Sequence, residues 1–158
     1  MTPSAAVTDP RAGVLRQRYR ELFGGPELPV PVERIAEDLL GLSVGEADLD
    51  VSGLLVPAER QIWLNAAEPE ARRRFTLAHE LGHWVCQCLD GRSAPIYCRP
   101  KDVSTSADRA LEREANVFAA ELLMPEPDVR AAQANVFGVS AEAYAWRLYS
   151  FGLGERPA

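Results

Sequence analysis

The sequence predicts an α+β protein in which a small antiparallel three-stranded sheet packs against several helices. Two short β-type runs, residues 51–56 and 61–65, flank the turn-like segment 57–60 and so predict a hairpin. Residues 42–49 predict a third, weaker strand. Such a small sheet must be covered by helices on one face to be stable. The other segments show helical spacing of apolar residues between Gly and Pro breaks.

The first predicted helix covers residues 14–23 and is broken by Gly24, Gly25 and Pro26. Its apolar anchors are expected to be Val14, Leu15, Leu22 and Phe23. Three arginines on it are interpreted as a solvated face, with a nucleic-acid patch as the less favoured alternative: Arg16, Arg18 and Arg20.

The second helix is expected to begin at Pro31 and to end at Gly41, a usual position for a C-terminal glycine. Residues 68–89 predict one long helix with Pro69 in its first turn. Residues 91–106 are rich in Pro, Ser and polar side chains, which predicts a loop.

Two further helices have clear boundaries in the sequence. Thr105 and Asp108 form a capping-box pattern for a helix that runs to about residue 123, where Pro125 prevents its continuation. A short helix is expected over residues 128–134, and Ser140 is a candidate cap for a last helix to about residue 149.

Length and composition predict a single folded unit. The chain has 158 residues, 47% of them apolar, and a formal net charge of −6. The negative charge argues against nucleic acid as a direct partner, because phosphate binding needs a basic surface. We expect residues 1–24 to form an N-terminal extension with a short helix, and residues 25–158 to form the domain. No signal peptide or membrane span is recognised, so a cytoplasmic location without membrane association is expected.

The segment His79-Glu80-Leu81-Gly82-His83 is the strongest chemical signal in the chain. Two histidines four residues apart on a helix lie on one face and can bind one zinc ion. Glu80 leans to the same side, where it could hold a water at the metal and take its proton. The protein has two histidines, and both lie in this segment. The alternative interpretation is a buried, hydrogen-bonded histidine pair that binds no metal.

The third protein ligand is expected from the helix over residues 106–123. Glu114 lies three residues after Leu111 and four before Phe118, which places it within the apolar stripe. A buried carboxylate is costly unless a partner such as a metal compensates it. We therefore expect Glu114 rather than Glu112 as the ligand, and Asp108 and Glu121 as ordinary surface residues.

Two neighbouring residues allow two interpretations each. Gly82 is costly in mid-helix, so either a neighbouring backbone or a substrate strand is expected to approach it closely. Cys86 shares the face of the two histidines and is either a small apolar residue or a soft ligand. Cys88 is expected in the core and Cys98 in the loop, all three cysteines being reduced.

Two long motifs resemble the ImmA/IrrE family of metallo-endopeptidases. They are Arg74-Phe-Thr-Leu-Ala-His-Glu-Leu-Gly-His83 and Glu112-Arg-Glu-Ala-Asn-Val-Phe-Ala-Ala-Glu-Leu-Leu-Met-Pro125. Weaker similarities extend the resemblance over about residues 25–153. It implies a thermolysin-like, gluzincin-type minimal zincin core, with His79 and His83 as zinc ligands and the third ligand mapped onto Glu114.

The resemblance also implies a function in bacterial or phage gene regulation. Members of the family cleave, or trigger cleavage of, a helix-turn-helix repressor or the antitoxin of a toxin–antitoxin pair. The wider class places an Asp four residues after the ligand glutamate, to orient a histidine. Counted from Glu114 that position is Phe118, so Asn116 or another residue is expected to supply this contact.

The predicted reaction is zinc-dependent hydrolysis of a peptide bond, with Glu80 as the general base. An additional oxyanion donor is expected among four residues: Tyr97, Arg99, Tyr144 and Arg147. The strand over residues 51–56 is a candidate edge for pairing with an extended substrate. The alternatives are a zinc-containing module that sequesters a repressor without cutting it and, less favoured, a hydrolase of small molecules.

Overall fold

The computed structural model describes residues 9–25, 28–88, 96–98, 106–131 and 136–157. As the sequence predicted, the architecture is α+β. The helices are α1 (Pro10–Phe23), α2 (Val32–Arg34), α3 (Glu70–His83), α4 (Ser106–Leu123), α5 (Glu126–Ala131) and α6 (Ala141–Ser150). The strands are β1 (Ser43–Ala47), β2 (Gly53–Val56), β3 (Gln61–Asn65) and β4 (Ile96–Cys98). None of the described helices is both long and apolar enough to cross a membrane.

The sheet is mixed and has the strand order β1-β3-β2-β4. The predicted hairpin is present, since β2 and β3 pair antiparallel across a short 3-10 turn at Pro57–Glu59. The expected all-antiparallel sheet of three strands is wrong in two details. First, β1 pairs parallel with β3, because β3 lies between β1 and β2. Second, β4 adds a strand within the segment predicted to be a loop.

The position of β2 rules out its predicted role as a free edge for substrate pairing. It pairs with β3 on one side and with β4 on the other, so β1 and β4 are the outer strands of the described sheet. Alternate residues of the hairpin, Leu55, Ile62 and Leu64, point into the core. The sheet thus covers one side of α3.

Helix α3 is the centre of the fold, since it packs against β2 and β3 and also against α4. A run of eight consecutive residues, Thr76 to His83, is buried, which an amphipathic surface helix would not show. A π-helical turn at Trp84–Cys88 continues it. Both α4 and α6 begin where the sequence predicted, and the Ser140 hydroxyl accepts from the backbone N–H of Ala143 as a cap.

Helix α1 is anchored differently from the prediction. Ala12 and Tyr19 are its buried residues, whereas Val14, Leu22 and Phe23 are exposed. Arg16 is not part of a solvated face, because its guanidinium donates to the carbonyl oxygens of two residues that end α4, Glu121 and Leu122. Helix α1 therefore packs on α4 through one charged residue as well as through apolar contacts.

Arg74 holds two loops to the start of α3. Its guanidinium donates to the carbonyl oxygens of Val30 at 3.0 Å, Phe137 at 3.2 Å and Gly138 at 3.1 Å. Each of those carbonyls lies outside regular helix and strand, and the one at Val30 also accepts from the backbone N–H of Val32, so the arginine adds hydrogen bonds where the backbone makes few. Gly138 has a positive φ, and a Cβ there would lie 2.6 Å from Arg74 Nε.

Candidate metal centre

Helix α3 presents two buried imidazole rings to α4. His79 and His83 are separated by one helical turn, and their Nε2 atoms lie 3.1 Å apart. The rings meet edge to face with centroids 4.7 Å apart. Both inner nitrogens therefore point at one small volume.

A carboxylate from α4 completes this cluster. Glu112 Oε2 lies 2.9 Å from His79 Nε2, and Glu112 Oε1 lies 3.0 Å from His83 Nε2. Among the described residues these three are the group of His, Cys, Asp and Glu side chains that could hold a metal, with ligand atoms within 4.8 Å of one another. Two imidazoles and one carboxylate are ligands that zinc accepts.

Glu114, which the sequence argument favoured, points elsewhere. Its side chain is 44% exposed, and its carboxylate lies 3.9 Å from Arg11 of α1. The reason is the rotation of α4 about its axis, because Ala115 lies directly against Gly82 of α3. Glu112 precedes Ala115 by nearly one turn, whereas Glu114 is rotated by roughly 100° from it.

The close contact between the two helices answers the question raised by Gly82. A Cβ at Gly82 would lie 2.9 Å from the Cα of Ala115 and 3.0 Å from its carbonyl oxygen. A neighbouring backbone, rather than a substrate strand, therefore occupies the space next to Gly82. This approach brings Glu112 within reach of the histidines.

The outer nitrogens of both rings are hydrogen-bonded to amide side chains. His79 Nδ1 lies 2.8 Å from Asn116 Oδ1, and His83 Nδ1 lies 2.7 Å from Gln87 Oε1. Asn116 is four residues after Glu112, so the expected orienting residue is present when it is counted from Glu112. With each Nδ1–H donating outward, both Nε2 lone pairs face the centre.

This arrangement needs a positive charge at its centre. Two nitrogen lone pairs and a carboxylate repel one another at these separations unless a proton or a metal ion lies between them. Without a metal, burial opposes the ionisation of Glu112, but hydrogen bonds that His79 and His83 donate when protonated on Nε2 outweigh it and lower the pKa of Glu112 to about 2. The donor set and its outer hydrogen bonds fit a zinc ion.

Glu80 is fully buried in α3, between the two histidines in sequence. Strand β2 passes close beside it, since a Cβ at Gly53 would lie 3.6 Å from Glu80 Cγ and 2.5 Å from Thr76 Cγ2. Only a glycine allows the strand to approach α3 this closely. The carboxylate expected from the sequence to be catalytic thus belongs to a buried side chain that packs beside β2.

The cysteines lie outside the cluster as described. Cys86 Sγ is 3.9 Å from Asp9 Oδ2, on the side of α3 that faces the start of α1. Burial is the main cause that raises the pKa of Cys86, to about 12, so the residue is a thiol and not a ready thiolate ligand. Cys88 is buried, as expected, and the side chain of Cys98 lies outside the described residues.

Two of the four candidate oxyanion donors have other partners. Tyr144 stacks on Phe137, and Arg147 donates to Glu121 and to the carbonyl oxygen of Met124. Glu121 lies nine residues after Glu112, which is roughly 13 Å along the helix. Both therefore contribute to packing around the C-terminal end of α4. The side chain of Tyr97 and all of Arg99 lie outside the described residues.

The sequence argument missed Gln87. Its signal was its position four residues after His83, on the same helix face. Glu112 was not preferred because it lies on a different line of the helix from the apolar stripe, nearer Asn116 and Ala119. The stripe does not reveal which part of a helix faces its neighbour most closely.

Known proteins resemble this chain over most of its length. A family described as the IrrE N-terminal-like domain, peptidase family M78, matches residues 33–149. The radiation response metalloprotease IrrE of Deinococcus radiodurans is 36% identical over 148 residues, which cover 88% of this chain and 43% of that protein. A solved Mycobacterium tuberculosis transcriptional regulator shares the fold, with a TM-score of 0.63 at 19% identity, over 90% of this chain and 47% of that one. The chain thus spans less than half the length of either relative.

Proposed function

Because the chain belongs to the IrrE N-terminal-like domain family of peptidases, we propose that it is a zinc-dependent endopeptidase. The observation that carries the proposal is the convergence of His79, His83 and Glu112 in one buried cluster. Their outward hydrogen bonds add to it, because ligand histidines in zinc sites usually donate their second N–H to an oxygen. Three protein ligands leave the fourth position for water or substrate, as catalytic zinc sites do.

In this proposal His79 and His83 bind zinc through Nε2 and Glu112 binds it through its carboxylate. When bound there, zinc would supply a Lewis acid that lowers the pKa of a water molecule to about 7. Asn116 and Gln87 keep the two rings oriented. Glu114 takes no part in metal binding.

Glu80 is the proposed general base and acid. Its carboxylate accepts a proton from the attacking water, and the protonated acid then donates that proton to the leaving amine nitrogen. Its burial between β2 and the histidines restricts the carboxylate to this one place. The resemblance, and not a measured distance, supports this role.

The proposed substrate is a separate protein, a helix-turn-helix repressor or antitoxin, cut in the cytoplasm to control gene expression. The support is the family resemblance, together with relatives named for a radiation response and for transcriptional regulation. The formal net charge of −6 is consistent with a protein partner rather than DNA.

The test pairs the purified, zinc-loaded protein with the helix-turn-helix protein encoded nearest to its gene. We expect two fragments by mass spectrometry, and no fragments with Glu80→Gln, which keeps the shape but cannot take a proton. Glu114→Gln is the matched control and should cut normally, because Glu114 faces Arg11.

The same experiment distinguishes cleavage from the rival function, which is sequestration of the repressor without cleavage. A stoichiometric complex with intact partner, formed equally by the wild type and Glu80→Gln, would replace cleavage by sequestration. Normal cutting by Glu80→Gln would contradict the proposed role of that residue.

A further inference from the structure

We propose that Gln87 is a positioning residue that fixes the proton of His83 on Nδ1, so that the Nε2 lone pair faces the centre of the site. The inference rests on the proposed function for its purpose, but the geometry that carries it is independent of any metal. Gln87 follows His83 by one turn, in the π-helical segment that extends α3. Such π-turns occur frequently at functional sites.

The orientation of the Gln87 amide is set by a second hydrogen bond. Its Nε2 donates to the carbonyl oxygen of Leu111 in α4 at 3.3 Å. The reverse orientation would direct the amide oxygen at that carbonyl, and two acceptors would then face each other. The amide oxygen must therefore face His83, at 2.7 Å from Nδ1.

An amide oxygen only accepts hydrogen bonds, so His83 Nδ1 must carry the proton. The neutral tautomer protonated on Nε2 would direct the Nδ1 lone pair at the oxygen of Gln87 and lose this bond. Glu112 acts in the opposite sense, because its Oε1 lies 3.0 Å from His83 Nε2 and could accept a proton there. Gln87 thus decides a competition between two acceptors on opposite sides of one ring.

The same side chain also ties the two ligand-bearing helices together. Leu111, which accepts from Gln87, directly precedes Glu112 in α4. One amide therefore fixes both the ring of His83 and the backbone next to the carboxylate that faces it. Replacement of Gln87 should disturb the ring and the helix at once.

Nuclear magnetic resonance of the metal-free protein tests the tautomer directly. The protein has two histidines, so selective ¹⁵N labelling of histidine gives two rings to assign. At pH about 9, above the usual titration range of histidine, we expect the His83 ring of the wild type to be protonated on Nδ1. A wild-type ring protonated on Nε2 alone would overturn the proposal without any variant.

Two substitutions separate positioning from packing. Gln87→Leu keeps the size but removes the acceptor, so the His83 proton should move to Nε2, where Glu112 accepts it. Gln87→Glu restores an acceptor and should restore the Nδ1 proton. Gln17→Leu, an exposed glutamine on α1, is the matched control and should leave both rings unchanged. An unchanged tautomer in Gln87→Leu would refute the assignment.

Titration with Zn²⁺ in competition with a chelator gives the second readout. Loss of an orienting hydrogen bond on a ligand histidine typically weakens metal binding about 10- to 100-fold, and we expect Gln87→Leu to fall in that range. Equal affinity in Gln87→Leu and the wild type would contradict the inference. A wild type that binds no zinc would refute the proposed function, while the tautomer measurement would still test Gln87.

Discussion

Substitution of Gly82 by alanine is the sharpest single test of the helix contact that builds the site. The added Cβ would lie 2.9 Å from Ala115 Cα, 3.0 Å from its carbonyl oxygen and 3.3 Å from its Cβ. Carbon atoms in contact prefer about 3.5–4.0 Å, so α3 and α4 must separate by roughly 0.6 Å or more. The first two of these atoms belong to backbone and cannot rotate away.

The expected magnitude follows from two opposing effects. Replacement of a helical glycine by alanine normally stabilises by roughly 1 kcal/mol, and overpacking of a core costs about 1–3 kcal/mol. We therefore expect Gly82→Ala to lower the free energy of unfolding by up to about 2 kcal/mol. Gly13 in α1 is the matched control, because a Cβ there would meet only Arg16 Nη2 at 3.6 Å. Gly13→Ala should be neutral or slightly stabilising.

Urea unfolding and zinc titration of both variants are the assays. A zinc site tolerates ligand distances within about 0.2 Å, so a separation of the helices should weaken zinc binding in Gly82→Ala and leave Gly13→Ala unaffected. If Gly82→Ala were as stable as Gly13→Ala and bound zinc normally, the helix contact would not be the reason for this glycine.

Three further predictions concern the carboxylate of Glu112 and the half-buried Arg74. Glu112→Gln should weaken zinc binding by more than about 100-fold, whereas Glu114→Gln should not, and equal losses in a chelator competition would contradict the ligand set. In the metal-free protein the pKa of Glu112 is lowered from 4.5 to about 2, so its contribution to stability is present above pH 4.5 and is lost as the pH falls towards 2. That contribution is about 3 kcal/mol. The free energy of unfolding of Glu112→Gln, measured with urea, should therefore change less with pH in this window than that of the wild type. Identical pH profiles of the two proteins would refute the lowered pKa of Glu112. Arg74→Met should lower the free energy of unfolding by about 2–4 kcal/mol. The control Arg130→Met should lower it by less than about 0.5 kcal/mol, because the exposed ion pair of Arg130 with Glu126 contributes little to stability. Similar values for both variants would argue against the role of Arg74.

Local signals in the sequence predicted those parts of the fold that depend on local chemistry. The cap at Ser140, the hairpin turn at Pro57–Glu59 and the start of α4 at Ser106 each follow from a few neighbouring residues. Long-range pairing escaped prediction, because nothing in β1 reveals that β3 runs parallel to it.

The site was predicted only in part, because some of its residues are also brought together by long-range packing. The histidine spacing lies within one helix, so it could be read directly. The choice between Glu112 and Glu114 depends on how far α4 is rotated towards α3, which the close contact at Gly82 decides. The role of Gln87 depends on its hydrogen bond to the carbonyl oxygen of Leu111, a partner that is 24 positions away in the chain.

The contacts of Arg16 bear on where the chain could be shortened. The family match begins at residue 33, yet Arg16 of α1 donates to the last carbonyl oxygens of α4. Those carbonyls form the negative end of the helix dipole, which a guanidinium neutralises. A fragment that starts at residue 33 would leave this end of the ligand-bearing helix exposed, together with the Glu121 carboxylate that pairs with Arg16. A minimal expression fragment of the catalytic unit should therefore begin no later than Asp9, which caps α1.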